Sequence, residues 1–380
     1  MSNNTLKSVM NVGNNNNQTG MYPLFLGEDL GFTDEINITY PDIHKVYKEQ
    51  QSMFWLEDEF HFNQDRQDLL DAPDSEKDVM VLNLLAQHLM DSVASRSIIE
   101  IFGPVISNTE LHNWLLTQSF FEGIHASTYM KIFRNCFSDG NAVLERGKHN
   151  LDVFNRSKRI GEVFNMLNQK VSAWVSDSVT VKPTAETMRL ALLKGMVTLY
   201  ALEQISFMSS FASTFALVET GRYTNIGKAI SSICADEMVH AKGDRIVIQS
   251  MFSEPSIDTG LSYKELFNKH KQEFVDIIDA ITKQEMEWST YIFSEGRKVL
   301  GLNEQLLQGY VNYMAQPLYN FLEIAWDTNK FGTIVNDNPL PFMNVYIDRD
   351  LIQTANQESP NNNYRVGQVV DDLDGEVFDF

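Results

Sequence analysis

The chain has little that could tie it to a membrane, a disulfide framework or a nucleic acid. Its 380 residues contain no stretch of 18 or more uninterrupted apolar residues, which argues against a membrane span. The start, Met1-Ser2-Asn3-Asn4, lacks the basic-then-apolar pattern of a secretory signal. Only two cysteines occur, Cys136 and Cys234. They are too few for a zinc or iron–sulfur site by themselves and read as buried, reduced thiols of a cytoplasmic chain. Basic residues are scarce beside acids, 30 against 51, for a net charge of −21. Phosphate backbones need a cationic surface, so a direct nucleic-acid role is disfavoured. No glycine-rich loop suited to cradling phosphates is present, so the chain is not expected to bind nucleotides itself. Strand-type alternation is nearly absent, and there is no tandem repeat.

What is present is helical spacing. Residues 1–20 are a low-complexity, Asn-rich segment with the run Asn14-Asn15-Asn16-Asn17. After a mixed stretch with breaks at Pro41 and Pro73, Glu76–Ile101 carries Val79, Leu82, Leu85 and Leu89 at helical intervals and stops near Gly103-Pro104. Asn108-Thr109-Glu110 opens a second long helix that runs to about Phe137. A third spans roughly Thr184–Glu219, a fourth Ile226–Phe252, and helical stretches continue to about Asn329 with a break near Gln316-Pro317. From about Asn336 the pattern fails, and Ser359-Pro360-Asn361-Asn362-Asn363 reads as flexible tail. The expected class is therefore all-α: a helical bundle over residues 21–335, flanked by a loose segment 1–20 and a tail 336–380.

Two copies of Glu-x-x-His stand 115 residues apart, Glu122-Gly-Ile-His125 and Glu237-Met-Val-His240. Glu and His three apart share one helical face. Glu122, His125 and Tyr129 fall on one stripe with Leu111, Leu115, Gln118 and Ile132. Glu237 and His240 fall on another with Ile226, Ile230, Ile233 and Asp244. A charge on a core-facing stripe needs a partner or a metal, because burying it alone costs several kcal/mol. The first helix offers Asp91 and the third Glu203, both acids among apolar neighbours. Asp91, Glu122, His125, Glu203, Glu237 and His240 together give four carboxylates and two imidazoles. That set suits two Fe or Mn ions better than Mg, Ca or Zn. A single Glu-x-x-His is a weak signal, since most such pairs are surface residues or satisfied core groups. Two of them on apolar stripes, with an acid on each of two further helices, is much stronger.

These motifs resemble the radical-generating small subunit of class I ribonucleotide reductase, of the class Ia type. The resemblance runs from about Trp55 to Tyr364. It is carried by Leu89-Met90-Asp91-Ser92, by Phe121-Glu122-Gly123-Ile124-His125-Ala126-Ser127-Thr128-Tyr129, by Leu202-Glu203-x-Ile205-x-Phe207 followed by Phe211, by Asp236-Glu237-x-x-His240, and by Tyr364-Arg365-Val366-Gly367-Gln368. It implies a ferritin-like bundle in which two Fe ions, with Mn as a possible substitute, use O₂ to convert Tyr129 into a stable tyrosyl radical. Phe207, Phe211 and Ile233 would line the radical pocket. Trp55 and Asp236, the latter behind His125, would form a relay. Gln118, one turn before Glu122, would donate to a carboxylate or simply pack.

The tail implies a partner. From Glu358 to Phe380 six acids and one base are interleaved with Leu373, Val377, Phe378 and Phe380. Apolar anchors at a free chain end suggest a segment that orders on another protein. By the resemblance that protein is the large catalytic subunit of a ribonucleoside-diphosphate reductase, with Tyr364 carrying the radical between subunits and Glu358 assisting the coupled proton. A homodimer is implied in the same way. The rival readings are an iron store or ferroxidase, a di-iron substrate oxidase, and a metal-free structural bundle.

Overall fold

The computed structural model describes residue 11 and residues 23–28, 30–256 and 260–347. Fifteen α-helices follow one another through the described residues. In chain order, α1 is Pro41–Ser52, α2 Asn63–Asp71, α3 Asp74–Phe102, α4 Thr109–Cys136 and α5 Gly140–Lys148. Next come α6 Leu151–Arg156, α7 Lys158–Val175, α8 Ala185–Ala201, α9 Met208–Val218 and α10 Thr224–Ser253. The last five are α11 Tyr263–Lys269, α12 Lys271–Ile292, α13 Glu304–Phe321, α14 Thr328–Phe331 and α15 Met343–Ile347. β structure among the described residues amounts to two isolated bridges, Phe25 with Ile106 and Val299 with Leu302.

The site is framed by α3, α4, the α8–α9 run and α10. Helix α3 lies along α4, α8 against α10, α9 against α3, and α4 meets α10. The caps are those the sequence announces. Asn108 Oδ1 accepts the Leu111 N–H at 2.8 Å to open α4, and Thr184 Oγ1 accepts the Thr187 N–H to open α8. Helix α10 is capped from a distance. Asp65, fully buried on α2, accepts the N–H groups of Asn225 and Ile226 at 2.9 Å each. A carboxylate suits a helix N-terminus because the first N–H groups have no intrahelical partner and the dipole is positive there. The residue before α10, Tyr223, is left-handed at φ 59°. Its N–H bond to Asp68 and its hydroxyl bond to Glu76 offset that strain.

Helices α4 and α10 approach closely at Gly243, where a Cβ would lie 2.1 Å from Trp114 Cζ2. The most apolar helical segment, 185–218, is an interior element with 89% of its most apolar stretch buried, the pattern of a core helix.

Two sequence expectations change. The third helix is not continuous from Thr184 to Glu219: Leu202–Ser206 forms a π-helical turn between α8 and α9. Nor does the chain break at Gln316-Pro317, because α13 runs through Pro317 to Phe321. The turn that ends it falls instead at Glu323, with φ 53°. Within residues 336–347, Leu340 and Met343 are buried against the bundle. Cys136 and Cys234 are both free and buried.

Candidate metal centre

The core of the bundle holds six polar side chains from four segments. Asp91 comes from α3, Glu122 and His125 from α4, Glu203 from the π turn, and Glu237 and His240 from α10, all fully buried. Their ligand atoms form two overlapping groups of four. Asp91, Glu122, His125 and Glu237 make one; Glu122, Glu203, Glu237 and His240 make the other. Within each group the atoms lie within 4.8 Å of one another. Glu122 and Glu237 belong to both, as bridging carboxylates would.

Both imidazoles turn Nδ1 toward the acids. His125 Nδ1 is 3.2 Å from Glu237 Oε1 and 3.5 Å from Glu122 Oε2. His240 Nδ1 is 2.9 Å from Glu237 Oε2 and 3.0 Å from Glu122 Oε1. The ring centroids are 5.9 Å apart.

The hydrogen bonding of the donor set bears on its fit to cations. Both oxygens of Asp91, both of Glu122, Glu203 Oε2, Glu237 Oε1 and His125 Nδ1 are buried without a hydrogen-bond partner. Buried polar atoms are almost always satisfied, so a cluster of convergent orphans marks a place built for something else to bind. Four carboxylates balance two divalent ions, so the residues fit.

The electrostatics agree. Burial, reinforced by the charges of Glu122 and Glu237, holds the Asp91 carboxyl well above its usual range. Burial, then the same two glutamates, does so for Glu203. Burial works against a charged His240, but the close approach of the Glu122 and Glu237 carboxylates prevails and pushes it up to about 10. Among the protein groups alone, protons thus balance the excess negative charge, a task that metal cations perform at such sites.

Around this cluster, Asp236 stands behind His125. Its Oδ2 is 3.1 Å from His125 Nε2 and accepts the Trp55 indole N–H at 2.7 Å, while its Oδ1 accepts from Gln50 Nε2 at 3.1 Å. With Nε2–H directed to Asp236, Nδ1 faces the cluster. Trp55 also stacks on the His125 ring, 14° from parallel, and is 4% exposed. Gln118 is a donor, not mere packing: its Nε2 reaches Glu203 Oε1 at 3.0 Å and Asp244 Oδ2 at 3.4 Å.

Tyr129, one turn beyond His125, is wholly buried, and its hydroxyl makes no hydrogen bond of ordinary geometry. Burial, then the charge of Asp91, raises its phenol well above the ordinary value. Phe207, Phe211 and Ile233 are fully buried in the same core, with Phe207 stacked on Phe211 at 5.7 Å.

Tyr364 and Glu358 lie outside the described residues. Sequence reasoning missed Gln50, whose position on a short amphipathic helix gives no hint of its reach to Asp236. It also missed the pairing of Arg156 with Glu285, 129 residues apart.

An all-helical bundle with two overlapping carboxylate–histidine groups in its core defines a ferritin-like di-metal carboxylate protein. Within that class, the sequence model of the family "Ribonucleotide reductase, small chain" matches residues 34–325, and the chain belongs to this family. It is 29% identical over 373 residues to the ribonucleoside-diphosphate reductase subunit beta of Haemophilus influenzae, covering 96% of this chain and 97% of that protein. The ribonucleotide reductase R2 subunit from Clostridium botulinum has the same fold, with a TM-score of 0.74 at 20% identity over 90% of this chain and 99% of that one. The dimanganese(II)-NrdF of Streptococcus sanguinis is also similar in fold, with a TM-score of 0.61 at 17% identity over 81% of this chain and 99% of that one.

Proposed function

We propose that this chain is the radical-generating beta subunit of a ribonucleoside-diphosphate reductase, with Asp91, Glu122, His125, Glu203, Glu237 and His240 as ligands of two iron ions and Tyr129 as the stored radical. Manganese is the alternative metal. The metals, when bound, supply one-electron oxidation with O₂ as the acceptor.

The protein supplies the rest. Asp91 Oδ2 and His125 Nδ1 lie 3.8 Å apart in the same ligand group, so these two residues would help to hold one of the two ions. The unpaired Tyr129 hydroxyl lies within the field of Asp91, so a phenolic proton has a nearby acceptor. The buried Phe207, Phe211 and Ile233 keep water and reductants from a neutral phenoxyl. Trp55, Asp236 and His125 form a hydrogen-bonded line along which an electron and its proton can leave or enter.

The large catalytic subunit is the partner, reached through the tail after residue 347, with Tyr364 as the relay and Glu358 as its proton partner. A homodimer in the cytoplasm completes the proposal. Exposed Phe54, Leu116 and Phe120, with Phe54 stacked on Phe120, support a face for the second copy.

The observation that carries this reading is the wholly buried Tyr129 placed one turn from a metal-cluster histidine with its hydroxyl unpaired. A ferroxidase or hydrocarbon oxidase has no use for that residue or for the Trp55–Asp236 line. The test is aerobic reconstitution with ferrous iron, followed by electron paramagnetic resonance. The expected result is a tyrosyl signal in the wild type and none in Tyr129→Phe. A fully loaded wild type without the signal, with iron and with manganese, would remove the reading.

A further inference from the structure

Glu203 differs from the other five cluster residues in its backbone. It sits in the π turn Leu202–Ser206 and not on a regular α-helix. A π turn holds more residues per turn than an α-helix, and relaxing it to α would move Glu203 by one register step, roughly 100° about the axis. Something must hold the turn in place.

The structure offers one device at its C-terminal end. Arg156, at the end of α6, donates from Nη2 to the Ser206 carbonyl at 2.5 Å, the last carbonyl of the π turn. The same guanidinium grips Glu285 of α12 with two bonds, Nε to Oε2 at 2.6 Å and Nη2 to Oε1 at 2.7 Å. Glu285 Oε1 then accepts the Ser209 N–H at 2.8 Å, in the first turn of α9 where N–H groups have no partner within the helix. Arg156 Nη1 donates to Ser210 Oγ, and the guanidinium lies over the Trp288 ring, 4.8 Å from its centroid. Arg156 and Glu285 are both buried.

A buried ion pair is a poor way to add stability, since its desolvation cost is high. This one spends its hydrogen bonds on the carbonyl and the N–H that flank the π-to-α junction. We propose that the Arg156–Glu285 pair is a positioning device for Glu203: it locks that junction and thereby fixes the carboxylate on the Glu203–His240 side of the cluster. Neither residue touches the cluster itself. The proposal rests on the six residues holding two metal ions.

The test is titration of the full-length protein with Mn(II), followed by electron paramagnetic resonance. Wild type is expected to take up two ions per chain with an exchange-coupled spectrum. In Arg156→Gln and Glu285→Gln the first ion should bind almost as in wild type and the second at least tenfold more weakly, so that isolated Mn(II) signals replace the coupled one. Arg156→Lys should restore part of the coupling. Should the single variants fail to fold, R156M/E285M leaves no lone buried charge and carries the same expectation. Ser210→Ala, the mildest change, should shift the second ion in the same direction. Circular dichroism checks the helix content of each. A folded double variant with wild-type coupling overturns the proposal, and so does an equal weakening of both ions, which would mean general damage. Wild type that takes up fewer than two ions would instead strike down the two-metal reading on which the proposal rests.

Discussion

Trp55 donates its indole N–H to Asp236 Oδ2 at 2.7 Å, across 181 residues of sequence, and the same oxygen faces His125 Nε2 at 3.1 Å. One carboxylate oxygen therefore serves two rings. Asp236→Asn keeps the shape but removes the charge that holds the His125 tautomer. Removing such outer partners typically costs about 10- to 100-fold in metal affinity. That loss, confined to the ion on the Asp91–His125 side, is the expected result of a Mn(II) titration. Trp55→Phe should leave metal binding near wild type and slow radical formation in stopped-flow absorbance. Equal rates in the two proteins would exclude Trp55 from the relay.

Tyr129→Phe gives a stability readout that does not involve metal. The hydroxyl is buried without a hydrogen bond of ordinary geometry, near the Asp91 carboxyl, and a poorly paired buried polar group costs up to about 1–3 kcal/mol. The variant should be as stable as wild type or more so in urea unfolding of the metal-free chain. A loss of 2 kcal/mol or more would show that the hydroxyl has a partner that matters.

Metal should bind tightly to the folded chain and weakly to the unfolded one, because the six residues converge only in the bundle. Ligand at a hundred times its Kd stabilises by about 2.7 kcal/mol per site. Thermal unfolding with Mn(II) should therefore shift upward and return on chelation. Glu122→Ala, which removes a residue shared by both groups, should abolish the shift.

Glu254 gives a pH dependence far from the cluster. Its Oε1 accepts from the Leu24 N–H at 2.6 Å and the Tyr40 hydroxyl at 2.8 Å. Burial outweighs both bonds and raises the carboxyl from 4.5 to about 7. The folded state thus binds this proton more tightly than the unfolded state. Between those two values the folded chain holds more protons, so Glu254 makes stability fall as pH rises through the window. The loss is complete above the folded value and amounts to about 3 kcal/mol. Glu254→Gln keeps the acceptor and does not titrate. Its stability relative to wild type should rise by that amount between pH 4.5 and 8; a constant difference would contradict the raised value.

Gly243→Ala tests the close approach of α4 and α10. The added Cβ would meet Trp114, whose indole is tied to Asp244 at 3.3 Å. Overpacking of this kind costs about 1–3 kcal/mol, which a lowered thermal midpoint should report.

The sequence by itself determined the class, three of the four long helices as continuous elements and the six residues that converge in the core. Helical periodicity is local, and Glu-x-x-His on an apolar stripe declares its face without help from the rest of the chain. Asn108 and Thr184 likewise act within their own first turns. The tertiary structure alone decided which distant groups meet. Gln50 reaches Asp236, and Asp65 caps α10 from another helix, because packing and not spacing brings them together. The π turn at Glu203 was invisible for the same reason. Residues 202–206 have ordinary helical composition, and the groups that accompany the turn, Arg156 and Glu285, come from helices remote in sequence. Backbone pattern is written within a few residues of itself, whereas the satisfaction of buried charge depends on what the folded chain places beside it.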